Sequence, residues 1–194
     1  MANYYYFAAT LPTLLPFGMT PPCTFEEFLQ KARQHLNESD FEVLASACLF
    51  IPEDGQLPIL AYKSALLMYY YQWERALRNE LARLRAQRFQ RPAEKYQRPG
   101  EPDWDALRSA QAAFAAENPL EAELLIEKER WAFIESLATN CFFDLNYLTA
   151  YALKLQILAR HEIFTRAQGE SGYRTVYAAM LQAVDHRINT GEMA

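Results

Sequence analysis

The chain has 194 residues, about half of them apolar, with a net charge of −5 and three cysteines. That length admits one domain or two small helical lobes, and the apolar share excludes global disorder. The modest acidity gives no dominant attraction to nucleic acid or to an anionic membrane, so neither is an expected partner.

In chain order, the apolar run from Tyr4 to Leu11 is too short for periodicity to separate helix from strand, although Asn3 is placed to cap a short helix. Pro12, Pro16, Pro21 and Pro22 then impose an extended, turn-rich stretch. Thr24 with Glu27, and Ser39 with Glu42, read as capping boxes. The first opens a helix whose Phe25, Phe28, Leu29, Ala32 and Leu36 form one apolar stripe. The second opens a helix to about Phe50, where Pro52, Glu53, Asp54 and Gly55 stop it.

A long helix is predicted from about Pro58 to about Phe89. Its first half, with Leu60, Leu66, Leu67, Met68 and Tyr69 to Tyr71, is apolar nearly all round, as in a helix buried by several neighbours. Its second half narrows to a seam of Leu77, Leu81 and Leu84, in heptad register with Leu67 and Tyr70. Pro92, Pro99, Gly100 and Pro102 interrupt helix over 91–103. Beyond them, Asp103 caps a helix from Trp104 to about Glu117. Asn118 caps the next, with Pro119 at its first position and Glu121 in its first turn. Asp144 caps Leu145 to Gln168, with Gly169 at the end, and these last two helices are expected to form an antiparallel hairpin. A final helix is predicted over Tyr173 to Ile188. The pattern is all-α, without a convincing strand. It predicts an antiparallel helical bundle of two small lobes, 1–90 and 104–194, joined by the Pro-rich linker 91–103, or else one compact domain.

Chemistry-bearing constellations are scarce. Cys23, Cys48 and Cys141 are odd in number and widely spaced, which suits reduced cytoplasmic thiols better than disulfides or zinc. Residues three before His35, His161 and His186 are Ala32, Leu158 and Ala183, so the Glu-x-x-His ligand pair of di-iron bundles is missing. Glu123 and Glu127 lie one turn apart, as on many solvated acidic faces. No phosphate loop, dinucleotide fingerprint or Gly-x-Ser-x-Gly elbow occurs, and adjacent Asp185 and His186 cannot face each other on a helix. Gly169 to Gly172 resembles the loop of a KH module but lacks flanking strands, so it reads as a helix–helix turn. The expectation is therefore no catalytic residue, no metal and no cofactor. The longest apolar run, Ala65 to Tyr71, is far short of the roughly 20 residues of a membrane span, and the first basic residue is Lys31, so neither membrane insertion nor a signal peptide is expected.

Two features suggest a partner surface. Tyr69, Tyr70, Tyr71 and Trp73 form an aromatic cluster, which reads first as core and second as interface anchors. Residues 75–98 hold eight basic and two acidic side chains, a balance of +6 inside a chain of −5. A solvated helix end that complements its own dipole is one account of this, and a docking site for an acidic partner is the other. The candidate partner-binding residues are Arg78, Arg85, Arg88, Arg91, Lys95 and Arg98, with Tyr69 and Trp73.

The segments Tyr4-Tyr5-Tyr6, Leu11-Pro12, Pro16-Phe17, Pro21-Pro22 and Phe25 to Leu29 resemble an uncharacterised bacterial domain family encoded in V/A-type ATPase operons. Phe142 to Leu158, with Asp144, Tyr151, Lys154 and Leu155, is similar to the family of the C-type (or d-type) subunits of those ATPases. Members of that family are longer, are built from three helical lobes and carry no catalytic residues. The resemblance implies a rotor or central-stalk adapter in proton or sodium transport. Its partners would be the central stalk and the membrane ring, and it would sit in the cytoplasm, held at the inner membrane through its complex. An assembly factor or regulator of the same ATPase is the alternative. A small all-α enzyme with a site built from scattered side chains is a third reading.

Overall fold

A computed structural model describes residues 4–15, 20–52 and 57–163. These are all-helical: α1 (Tyr5–Thr10), α2 (Phe25–Ala32), α3 (Glu38–Ala45), α4 (Ala65–Arg88), α5 (Trp104–Phe114), α6 (Pro119–Ala138) and α7 (Leu145–Ile163), with short 3-10 turns at Ile59–Lys63 and Ala93–Lys95. No strand occurs among the described residues. The expected end of the last described helix at Gly169, the helix over 173–188, His186 and the 169–172 loop all lie outside them.

Most helix starts follow the local capping chemistry. Thr24 and Glu27 form a reciprocal capping box on α2. Asp103 accepts from the Ala106 N–H, Asn118 from that of Glu121 and Asp144 from that of Tyr147, opening α5, α6 and α7. Two expected starts are corrected. Asn37, not Ser39, caps α3, accepting from the Asp40 N–H at 2.8 Å. Tyr4 holds this cap in place, because its hydroxyl donates to the Asp40 carboxylate and accepts from the Asn37 amide. The long helix begins at Ala65, not near Pro58. Ser64 stands in extended backbone and caps it, while its hydroxyl also reaches Asn146 on α7.

Three clusters make up the core. Leu67, Tyr70 and Tyr71 of α4 pack with Val43, Trp131, Ile134, Leu153 and Ile157. Phe7, Phe28 and Leu44 pack against Leu148, Tyr151 and Leu155 of α7. Trp73, Leu77 and Leu81 meet Ala106, Ala110 and Ile126. Each cluster draws on both sides of residues 91–103, so that segment does not divide the core into lobes.

The segment instead returns along α4. Asn79 and the Arg98 backbone exchange two hydrogen bonds, and Arg75 donates to the Pro99 carbonyl. A side chain at Gly100 would collide with Arg75, since an added Cβ would lie 2.8 Å from its Cδ. Because the chain is carried back before α5 begins, α5 starts beside the middle of α4 and ends beside its C-terminus, where Arg88 lies over Phe114. These two helices therefore run in the same direction. α6 and α7 are antiparallel, as expected: Lys154 pairs with Glu135, and Arg160, further along α7, pairs with the earlier Glu123 and Glu127.

Candidate partner-binding surface

α4 ends in a left-handed turn. Gln90 has φ 52°, the Arg91 N–H donates to the Ala86 carbonyl and the Gln90 N–H to that of Gln87, which is the Schellman pattern with glutamine in place of the usual glycine. This turn reverses the chain and leaves the last side chains of α4 and the first of the returning segment on one end of the molecule. Phe89 is 69% exposed and Tyr96 49%. Around them Arg85, Arg88, Arg91 and Lys95 are all exposed, and none pairs with a carboxylate among the described residues.

Two depressions share Phe89 and Arg85. One, of about 480 Å³, is walled by Leu81, Phe114 and Ile126, with Glu117 and Glu123 on its rim. The other, of about 380 Å³, lies against Ala82, Ala86 and Tyr96, with Arg91 beside it. Both volumes fall within the usual range of binding pockets, roughly 300–1,000 Å³.

The expected surface residues separate into two groups. Arg85, Arg88, Arg91 and Lys95 come together here. Arg78 does not: it turns inward to Glu74 and lies over the Phe50 ring. Arg98 is exposed but committed to Asn79 through its backbone and to the Pro52 carbonyl through its guanidinium. Trp73 is only 2% exposed and stacks on Phe133 at 4.7 Å, so as a partner-binding residue it is corrected to a core residue. Tyr70 and Tyr71 are fully buried, whereas Tyr69 is exposed. Tyr69 sits about 25 Å from the basic end along the helix axis and belongs to a separate cleft of about 440 Å³ with Tyr62, Met68 and Phe133. Phe89, Tyr96 and Phe114 join this surface, although the sequence pattern marks Phe89 only as a helix end and does not single out the other two. The aromatic at position 89, between Arg88 and Arg91, was the available signal.

An ionic cluster ties the other end of this assembly together. Glu74 is fully buried and receives two bonds from Arg130, at 2.8 and 2.9 Å, and one from Arg78. Arg130 is held firmly protonated: burial opposes its charge, but the Glu74 carboxylate outweighs that. Glu127, read from sequence as part of a solvated acidic face, is fully buried against Arg160 and His161. Burial pushes its carboxyl above the usual range, against the pull of Arg160 and His161. The guanidiniums of Arg78, Arg130 and Arg160 all stand 5.0–5.1 Å from the centre of the Phe50 ring. Burial also raises the hydroxyl of Tyr71 to about 12 and that of Tyr70 well above its ordinary value. These perturbed groups cross-link α4, α6 and α7, and none of them lines the depressions at Phe89.

No group of three or more His, Cys, Asp or Glu among the described residues is placed to hold a metal ion, and the three cysteines are free. No helix among the described residues is long and apolar enough to cross a membrane. Comparison of the chain with protein-family models, with curated proteins and with solved structures gives no match.

Proposed function

We propose that the chain is a non-catalytic protein-binding subunit that docks onto the rotor of a V/A-type ATPase through the basic, aromatic end of α4. One observation carries the docking site: exposed Phe89 lies between two depressions, one of them lined by exposed Tyr96, with exposed Arg85, Arg88, Arg91 and Lys95 on the same stretch of chain. The choice of partner rests on the resemblance at the two chain ends. Those ends meet in space, since Tyr4 and Phe28 pack with Tyr151 and Leu155 in one cluster. Tyr4, Phe28, Tyr151 and Leu155 thus belong to the core, and the docking residues lie elsewhere.

A rotor adapter performs no chemistry and must transmit torque. Cross-linking of α4, α6 and α7 by buried ion pairs suits that demand, because such pairs fix helix register more than they add stability. The test is association kinetics with purified stalk and ring subunits at low and high salt. Reversing Arg85, Arg88 and Arg91 to glutamate should slow association about tenfold or more at low salt and flatten its salt dependence. Absence of binding to either of these at micromolar concentration defeats the rotor reading. Binding that the reversal leaves unchanged defeats the docking site. Transient capture during assembly, with no stable complex afterwards, moves the chain to the assembly-factor reading.

A further inference from the structure

We infer that the occupant of the Phe89 surface is a short amphipathic helix with acidic residues along one flank, seated astride the Phe89–Arg85 ridge. This rests on α4's end being the docking site and adds the chemistry of what docks there.

The depressions lie on opposite sides of one ridge and share only Arg85 and Phe89. Their remaining walls are mainly apolar: Leu81, Phe114 and Ile126 on one side, Ala82, Ala86 and Tyr96 on the other. An occupant therefore needs two apolar side chains about one ring-width apart on one face. Helical residues three or four apart supply that, with β-carbons about 5–6 Å from each other. No strand edge exists among the described residues to pair with an extended peptide, and the two apolar depressions at helical spacing match the helix-in-groove mode of recognition.

Charge fixes the orientation. Arg85 stands on the ridge and Arg91 on the Tyr96 side, with Lys95 adjoining Tyr96 in sequence, while Arg88 lines the larger depression over Phe114. Glu117 and Glu123 stand on the far rim of the larger depression. Carboxylates belong on the occupant's flank that faces Arg91 and Lys95, and the flank toward Glu117 must be neutral or basic. A uniformly acidic peptide would meet repulsion there.

The experiment uses the full chain and two labelled synthetic peptides of about 18 residues, about five helical turns, identical in composition. In one, leucines recur at i, i+3, i+4 and i+7 with glutamates on one flank. In the other the order is shuffled. Fluorescence anisotropy should show the patterned peptide binding at least about tenfold more tightly. Phe89→Ala should abolish that preference while leaving the salt dependence unchanged, and its circular dichroism should match wild type because the ring is exposed. The triple arginine reversal should weaken both peptides. Equal binding of the two peptides, undetectable binding of both at micromolar concentration, or an unchanged preference in Phe89→Ala overturns the inference. Binding of stalk or ring subunits is measured separately. A chain that binds those subunits but ignores the pattern loses this inference and keeps the rotor reading. A chain that selects the patterned peptide but binds no rotor protein keeps the surface and loses the rotor.

Discussion

Glu74→Gln should be among the most damaging conservative changes in this protein. The carboxylate is fully buried, and its two oxygens take both bonds of the Arg130 fork, whose side chain is 6% exposed. Glutamine keeps the shape and removes the charge, leaving Arg130 buried without a counterion. Breaking a buried pair from one side typically costs about 3–5 kcal/mol. Arg78 also loses a partner, but with 40% of its side chain exposed, water replaces that contact and it adds little. For a chain of this length each kcal/mol moves Tm by about 2–4 °C, so a fall of about 6–20 °C is expected. Thermal unfolding followed by circular dichroism measures it. The companion double change, Glu74→Leu with Arg130→Met, removes both charges and should recover much of the loss, because an apolar replacement of a buried pair is often neutral or stabilising. If the single change costs less than about 1 kcal/mol, or if the double change is worse than the single, the pair does not act as a buried charge pair and the reasoning fails.

Leu67→Ala should cost about 2–5 kcal/mol in chemical denaturation, since the side chain is fully buried between α4, α6 and α7. Ser64→Ala should cost about 1 kcal/mol by removing the cap of α4. Gln90→Gly should gain up to about 1 kcal/mol by relieving the positive φ at the Schellman turn, without altering the helix content seen by circular dichroism. Glu127 has its folded-state carboxyl raised, chiefly by burial, so the native state holds that proton more tightly than the unfolded one. Its contribution is then fully present below the unfolded pKa and is lost as pH rises through the folded value. Glu127→Gln should therefore flatten the fall of Tm on raising the pH above the carboxylate range. An unchanged slope would refute this.

What was legible in the sequence is what local chemistry decides. Thr24, Asp103, Asn118 and Asp144 cap the helices they were expected to cap, because each needs only a side-chain oxygen and a backbone N–H three residues on. Leu67, Tyr70 and Leu77 are buried as the heptad seam required. The failures have non-local causes. Ser39 was a plausible cap, but the Tyr4 hydroxyl, more than 30 residues away, fixes Asn37 and Asp40 instead. Between Pro58 and Ser64 the apolar run gave no period to read, and Ser64 starts the helix while reaching Asn146 across the core. The common direction of α4 and α5 depends on Asn79 finding the Arg98 backbone. The Glu74–Arg130 and Glu127–Arg160 pairs join separate helices, so Glu127 looked solvated until α7 was laid beside it.

The same sorting bears on the two accounts of the +6 segment, and it supports the docking reading proposed above. Its formal charge overstates what a partner would meet. Arg78 and Arg83 are paired with Glu74 and Glu80, while Arg75 and Arg98 keep their charge but are tied to the Pro99 and Pro52 carbonyls. The remaining four, Arg85, Arg88, Arg91 and Lys95, are gathered at one end. The dipole of α4 accounts for Arg85 and Arg88, which lie in its last turn. It does not account for Arg91 and Lys95, which lie beyond the helix, where its partial charge has fallen away. Nor does it account for Phe89 and Tyr96, which a merely solvated helix end would have no reason to expose. Single exposed aromatics are ordinary on protein surfaces. Phe89 between two depressions and Tyr96 lining one of them, with cations nearby that meet no carboxylate among the described residues, fit the arrangement of an apolar anchor within a charged rim. The docking account covers all six side chains, and the dipole account covers two.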